Sequence, residues 1–148
     1  MELAGAMKNV VAIAAGIIDG IGAGDNAKAA LITRGLAEIQ RLGIALGASE
    51  KTFTGLSGLG DLFTTCVSPK GRNRSFGERI GKGATVDEAI GATQSVVEGV
   101  PTCGGIVELS RKHNVEMPIT ESIYNVIQKQ KTVQEAIADL MGRQLKAE

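Results

Sequence analysis

Three groups of polar residues stand in apolar or glycine-rich surroundings: Lys8–Asn9, Gly60–Asp61 with Thr64 and Thr65, and Gly71–Arg72–Asn73. An amine buried among apolar neighbours can have its pKa lowered far enough to move protons near neutrality, so Lys8 is a candidate general acid or base. A nearby carboxylate would orient that amine and tune it in the opposite sense, and Asp61 is the candidate for this. A guanidinium beside a carboxamide and a glycine suits an oxyanion, because backbone N–H groups can close in where there is no side chain. Together the three groups specify proton transfer next to a bound phosphate or carboxylate. Each also has a plain structural reading. A lysine on a buried helix can snorkel to water, and the stretch Gly55–Arg74, GLSGLGDLFTTCVSPKGRNR, reads equally as a solvated connection. Arg72 and Arg74 could be a surface ion-pair face.

The elements that must position these groups read as helices. Glu2 to Ile21 is apolar on nearly all sides and thinned by Ala4, Gly5, Ala6, Ala12, Ala14, Ala15 and Gly16, the pattern of a buried central helix. Ile21–Asn26, IGAGDN, is a glycine-punctuated turn. Gly20 and Gly22 imitate a dinucleotide fingerprint, but Asp25 stands where its third glycine belongs and no strand precedes it. Asp25 or Asn26 is expected to cap the next helix, Ala27 to Leu46, which puts Leu31, Ile39 and Leu42 on one side and Arg34, Glu38 and Arg41 on the other. Gly47 stops it, and Ser49 can cap a short segment, Glu50–Phe53. Gly55–Arg74 fits neither a helical nor a strand period. Further helices are expected at Asn73–Lys82, Val86–Gly91 behind a capping box at Thr85–Glu88, Thr102–His113, Glu121–Lys129 capped by Thr120, and after a second capping box at Thr132–Glu135. Thr93–Gly99 is read as irregular. The expectation is an all-α domain of about seven or eight helices, with the N-terminal one buried at the centre.

Composition narrows the function classes. Sixteen basic and 16 acidic residues give a formal charge of zero, which argues against a nucleic-acid or anionic-membrane surface. One Tyr, three Phe and no Trp leave little for stacking bases. Two cysteines far apart, Cys66 and Cys103, make no disulfide framework, and a single histidine, His113, makes no zinc set. Cys66 is read as a small packed side chain and His113 as a helix-end cation. Val10–Ile18 is too short an apolar run for a bilayer and lacks the sequel of a signal peptide, so the expected compartment is the cytoplasm.

Four segments in order, GAMKNVVAIAAGIIDGIGAGDNAKAALI, SGLGDLFTTC, GRNRSFGERIGKG and VVEGVPT, resemble the C-terminal domain of the bacterial type of NAD(P)-dependent glycerol-3-phosphate dehydrogenase over essentially the whole chain. The resemblance implies an all-helical substrate domain packed on an N-terminal Rossmann domain. It also implies an enzyme that interconverts dihydroxyacetone phosphate and sn-glycerol 3-phosphate with NAD or NADP and supplies precursor for glycerophospholipids. It makes Lys8 the acid/base, assigns Asp61 to the substrate hydroxyls and Lys8, and places Gly71, Arg72 and Asn73 on substrate, chiefly its phosphate. Thr65 falls near substrate, and Arg72, Val96 and Glu98 fall at the cofactor. Many bacterial relatives have Ser where this chain has Gly71.

No strand-borne GxGxxG or βαβ unit occurs in these 148 residues. The nucleotide-binding half is therefore expected to be missing, Met1 to be an added start or the chain to be a fragment, and the chain alone to bind cofactor poorly and turn over negligibly. Two other readings remain open at this stage. One is a helical interaction or homodimerisation module without chemistry. The other is the substrate domain of a hydroxy-acid dehydrogenase, which would want a carboxylate clamp.

Overall fold

The structure, a computed structural model, describes residues 3–49, 51, 56–93 and 96–142. Among them are eight α-helices: α1 Leu3–Ile21, α2 Asp25–Ala45, α3 Asp61–Val67, α4 Arg72–Gly81, α5 Val86–Gly91, α6 Gly99–Lys112, α7 Pro118–Ile127 and α8 Val133–Gly142. A single π-helical turn, Leu56–Gly60, leads into α3. The described residues contain no strand. The all-α expectation and the central placement of the N-terminal helix both hold.

α1 is long and apolar enough to cross a membrane. Here it is instead the axis of the core. Val10 to Ala15 are all buried, and α2, α3, α4, α6 and α7 pack around it. Its small residues set how closely the neighbours come. A Cβ added at Gly16 would lie 1.9 Å from the carbonyl oxygen of Arg74, and one at Gly20 would lie 2.4 Å from that of Glu78. α4 answers in kind: a Cβ at Gly77 would lie 2.0 Å from the oxygen of Ile13, and one at Gly81 would lie 2.5 Å from that of Ile17. Two Gly-x-x-x-Gly pairs thus face each other and the α1 and α4 backbones touch, as small residues at this spacing allow.

Several local expectations need correction. Gly55–Arg74 is mostly helical in its described part. α3 buries Leu62 and Cys66, so tertiary burial overrides the weak propensity of a glycine- and threonine-rich run. Neither Asp25 nor Asn26 caps α2; the N-cap is Gly24 at φ 96°, and Asp25 is the first helical residue. Thr120 lies inside α7, which begins at Pro118. Both capping boxes form as read: Thr85 with Glu88, and Thr132 with Glu135. The α2 stop at Gly47 also holds, with φ 97°. The segment read at Glu50–Phe53 lies, apart from Lys51, outside the described residues.

The largest departure is Glu38. The spacing of Arg34, Glu38 and Arg41 places it on a solvated face, yet it is 1% exposed. Its Oε1 accepts the backbone N–H of Ile119 at 2.5 Å, and the neighbouring Arg41 donates to the carbonyl of Glu116. Pro118 at the first helical position leaves α7 with Met117 as N-cap, whose side chain makes no cap hydrogen bond. α2 therefore supplies the cap from outside. Burial pushes the Glu38 carboxyl from the ordinary 4.5 up to about 7, against the opposing pull of the Ile119 hydrogen bond and Arg41. An acid raised in the folded state binds more protons folded than unfolded between these two values, so stability is greatest at low pH and falls as pH rises through 7. We expect unfolding free energy to drop by about 2–3 kcal/mol between pH 5 and 8 on account of this group. Glu38→Gln keeps an acceptor for Ile119 and should flatten that slope. Parallel denaturant profiles of the two proteins across this range would contradict the assignment.

Candidate active site

Lys8 leaves the buried face of α1 and reaches the start of α3. Its side chain is 11% exposed, and its Nζ donates to Asp61 Oδ2 at 2.9 Å. Asp61 opens α3, where a carboxylate is favoured by the helix dipole, and it remains 60% exposed. The ammonium is thus largely buried, with a carboxylate leading out to solvent. One turn along α3, the Thr65 hydroxyl donates to the carbonyl of Asp61 at 2.7 Å, leaving its oxygen as an acceptor.

A β-turn then joins α3 to α4. Gly71 N–H donates to Ser68 O, with Pro69 at the second turn position, a residue suited to it. The N-cap of α4 is Gly71, which has no side chain to act as a cap, so the N–H groups of the first turn of α4 are not closed off by one. A Cβ there would meet Ser68 O at 3.4 Å and Thr65 O at 3.5 Å, ordinary contacts, so the serine common in the resembling enzymes would fit.

Arg72 is exposed at the head of α4. Asn73 points the other way, into the start of α6, where its Oδ1 accepts Gly99 N–H at 2.9 Å. That bond fixes the carboxamide so that its NH₂ is the end left to donate to a ligand. Gly99 is needed for the approach: a Cβ on it would fall 2.8 Å from Asn73 Oδ1 and 3.3 Å from the carbonyl oxygen of Asn9, the neighbour of Lys8. Contacts therefore run in a circuit, from Lys8 to Asp61, Thr65, Gly71, Arg72–Asn73, Gly99 and back to Asn9. The residues singled out for chemistry are thus linked through α1, α3, the head of α4 and the start of α6.

Val96 is 69% exposed, and Glu98 is also exposed, just ahead of α6, with Val97 buried between them. Arg72, Val96 and Glu98 are thus each open to solvent. With no strand among the described residues, nothing in them forms the strand–turn–helix that cradles a pyrophosphate. The residues present fit a cofactor's edge, not its whole length.

The other candidates fall away. Burial pushes the thiols of Cys66 and Cys103 up to about 12, so neither is a nucleophile. His113 is the C-cap of α6, away from the circuit. The described residues hold no cluster of His, Cys, Asp and Glu able to bind a metal. The two arginines read as a pair have parted. Arg74 is buried, with its guanidinium on Asp19 of α1, on Glu78 one turn along and on the carbonyl of Ser68. The spacing of Arg74 and Glu78 was a readable sign of that contact; the Asp19 partner carried no local signal.

Comparison with known proteins shows the family. Residues 1–138 match the family described as NAD-dependent glycerol-3-phosphate dehydrogenase C-terminus. The chain belongs to this family. It is similar over all its length, at 56% identity, to a protein of Chlorobium phaeobacteroides named glycerol-3-phosphate dehydrogenase [NAD(P)+], and covers 44% of it. A protein of the same name from Streptomyces coelicolor is 52% identical over 147 residues, again 44% of its length. Among solved structures, a glycerol-3-phosphate dehydrogenase from Coxiella burnetii superposes at a TM-score of 0.92 and 43% identity over 96% of this chain and 44% of that one. One from Saccharomyces cerevisiae superposes at 0.81 and 28% identity, over 93% and 40%. The chain spans less than half the length of these relatives. Membership of the family removes the reading as an interaction module unrelated to any enzyme.

Proposed function

We propose that this chain is the substrate-holding, proton-transferring part of an enzyme that interconverts dihydroxyacetone phosphate and sn-glycerol 3-phosphate. Its partner is a nucleotide-binding domain of the kind expected from the resemblance. The observation that carries the reading is the circuit joining the Lys8–Asp61 pair to the N-terminus of α4. The substrate's phosphate sits against the first-turn N–H groups of α4, with Arg72 and the Asn73 NH₂ as further donors. Asp61 accepts from the substrate hydroxyl and keeps the Lys8 ammonium aimed at the carbonyl oxygen. NAD(P)H, when bound, supplies the hydride to the carbonyl carbon. Lys8 gives its proton to the carbonyl oxygen, becomes a neutral amine, and is reprotonated from solvent along the exposed Asp61 side. In the reverse direction the amine takes the hydroxyl proton. The product would serve as the backbone precursor of glycerophospholipids, in the cytoplasm.

The test is a chimera in which this chain replaces the matching 44% of the Chlorobium relative. It should oxidise NADPH or NADH with dihydroxyacetone phosphate, whereas the chain alone should not. Arg72→Ala should raise KM for dihydroxyacetone phosphate by about tenfold or more and leave that for dihydroxyacetone little changed. Equal losses on the two substrates would contradict a phosphate role, and activity of the isolated chain would contradict the need for a second domain.

A further inference from the structure

We infer that Arg74 is a positioning residue for the phosphate end of this site, acting together with Asp19, while Arg72 alone of the two arginines reaches the ligand. The inference rests on the proposed function. Arg74 cannot touch substrate itself, because its side chain is 8% exposed and its donors are already engaged. Nε donates to Ser68 O at 2.9 Å, Nη1 to Asp19 Oδ2 at 2.7 Å, and Nη1 and Nη2 reach the Glu78 carboxylate at 3.3 and 3.4 Å. Lys28 from α2 closes the group with a 2.8 Å bond to Asp19 Oδ2, so two cations face two carboxylates and no charge is left over.

What gives this cluster a role beyond stability is the oxygen it holds. Ser68 O is also the acceptor for Gly71 N–H, the bond that closes the turn ahead of α4. One carbonyl is therefore gripped from two sides, by the turn it belongs to and by a side chain anchored on α1. The Ser75 hydroxyl adds a third tie, donating to the carbonyl of Pro69. The turn Ser68–Gly71 decides where Gly71 lies against Thr65, and hence where the N–H groups at the head of α4 point. Without the Arg74 bond, the turn keeps its own hydrogen bond but loses its register on α1, the helix that carries Lys8. Only a rigid planar fork reaches Ser68 O, Asp19 and Glu78 together, which a lysine cannot do.

The experiment compares wild type, Arg74→Lys, Asp19→Asn and Arg72→Ala in the chimeric enzyme, with dihydroxyacetone phosphate and dihydroxyacetone as substrates, and records melting temperatures alongside. Arg74→Lys keeps the charge. It should raise KM for the phosphorylated substrate by about tenfold, leave kcat within about threefold, and leave KM for dihydroxyacetone unchanged. Asp19→Asn, which keeps the Arg74–Ser68 bond, should shift KM in the same direction by less, and it carries the test should Arg74→Lys not fold. A lowered melting temperature with an unmoved ratio of the two KM values in both variants would overturn the inference, leaving Arg74 purely structural. If Arg72→Ala moves that ratio and neither Arg74→Lys nor Asp19→Asn does, only the inference falls. If wild type shows no preference for the phosphorylated substrate, the functional reading falls with it.

Discussion

Lys8→Ala in the chimeric enzyme lowers kcat by about two to four orders of magnitude, with KM for dihydroxyacetone phosphate changed only a few-fold. A proton donor acts as charge builds on the carbonyl oxygen, so its loss is felt in the transition state more than in the bound ground state. The truncation leaves Asp61 without its 2.9 Å partner, but that carboxylate is 60% exposed and water can take over, so the fold is not expected to suffer greatly. Lys8→Met separates the two contributions. It refills most of the buried volume of the lysine stem, and its kcat should match that of the alanine variant. Steady-state kinetics with both substrates varied is the measurement. A kcat within threefold of wild type in either variant removes Lys8 from the chemistry.

Gly77→Ala should destabilise the chain by about 3 kcal/mol or more, at or beyond the upper end of ordinary overpacking. The added methyl would lie 2.0 Å from the carbonyl oxygen of Ile13 and 2.9 Å from its carbon. No side-chain adjustment can relieve this, because the atoms it would meet are backbone and α1 is packed by five other helices. Either α4 moves away, breaking the contacts at Gly16, Gly20 and Gly81, or the helices bend. Against a total stability of roughly 5–15 kcal/mol, this is a large fraction, and a melting temperature lower by about 10 °C is expected. The control is Gly105→Ala on α6, where a Cβ would meet nothing within 4 Å. There the substitution should stabilise by about 0.5–1 kcal/mol, since alanine is the better helix former. Thermal melts showing the same sign for the two variants would defeat the explanation.

The candidate site residues stood out because each was out of keeping with its neighbourhood: a lysine in an apolar helix, an acid straight after glycines, an arginine and an amide at a turn. The two capping boxes were readable because their bonds span three residues. The unreadable features are those whose partner lies far along the chain. Glu38 and Ile119 are 81 residues apart, and Thr120, read as the cap of a helix from Glu121, gave no reason to look for a cap from elsewhere. Arg74 and Asp19 are 55 apart. α3 was missed for the opposite reason: local signals argued against a helix, and Leu62 and Cys66 settle it by burial. Gly77 carries no sequence mark of its function, because a glycine inside a helix looks the same whether it faces water or another backbone.

The backbone contact between α1 and α4 also makes the site a gauge. Helices separated by side chains can slide or breathe as those side chains change rotamer, but helices whose main chains touch keep a constant spacing. Lys8 rides on one of them, and the head of the other offers its N–H groups. On the roles proposed above, the span between the carbonyl to be protonated and the anion to be held would be set by glycines four residues apart, none of which meets the ligand in that proposal. A phosphorylated ketone with one more carbon between these ends would not be accommodated by a yielding wall, and discrimination by length should show in kcat/KM. Widening the gauge would require repacking Gly16, Gly20, Gly77 and Gly81 together, with the residues that meet the ligand left as they are.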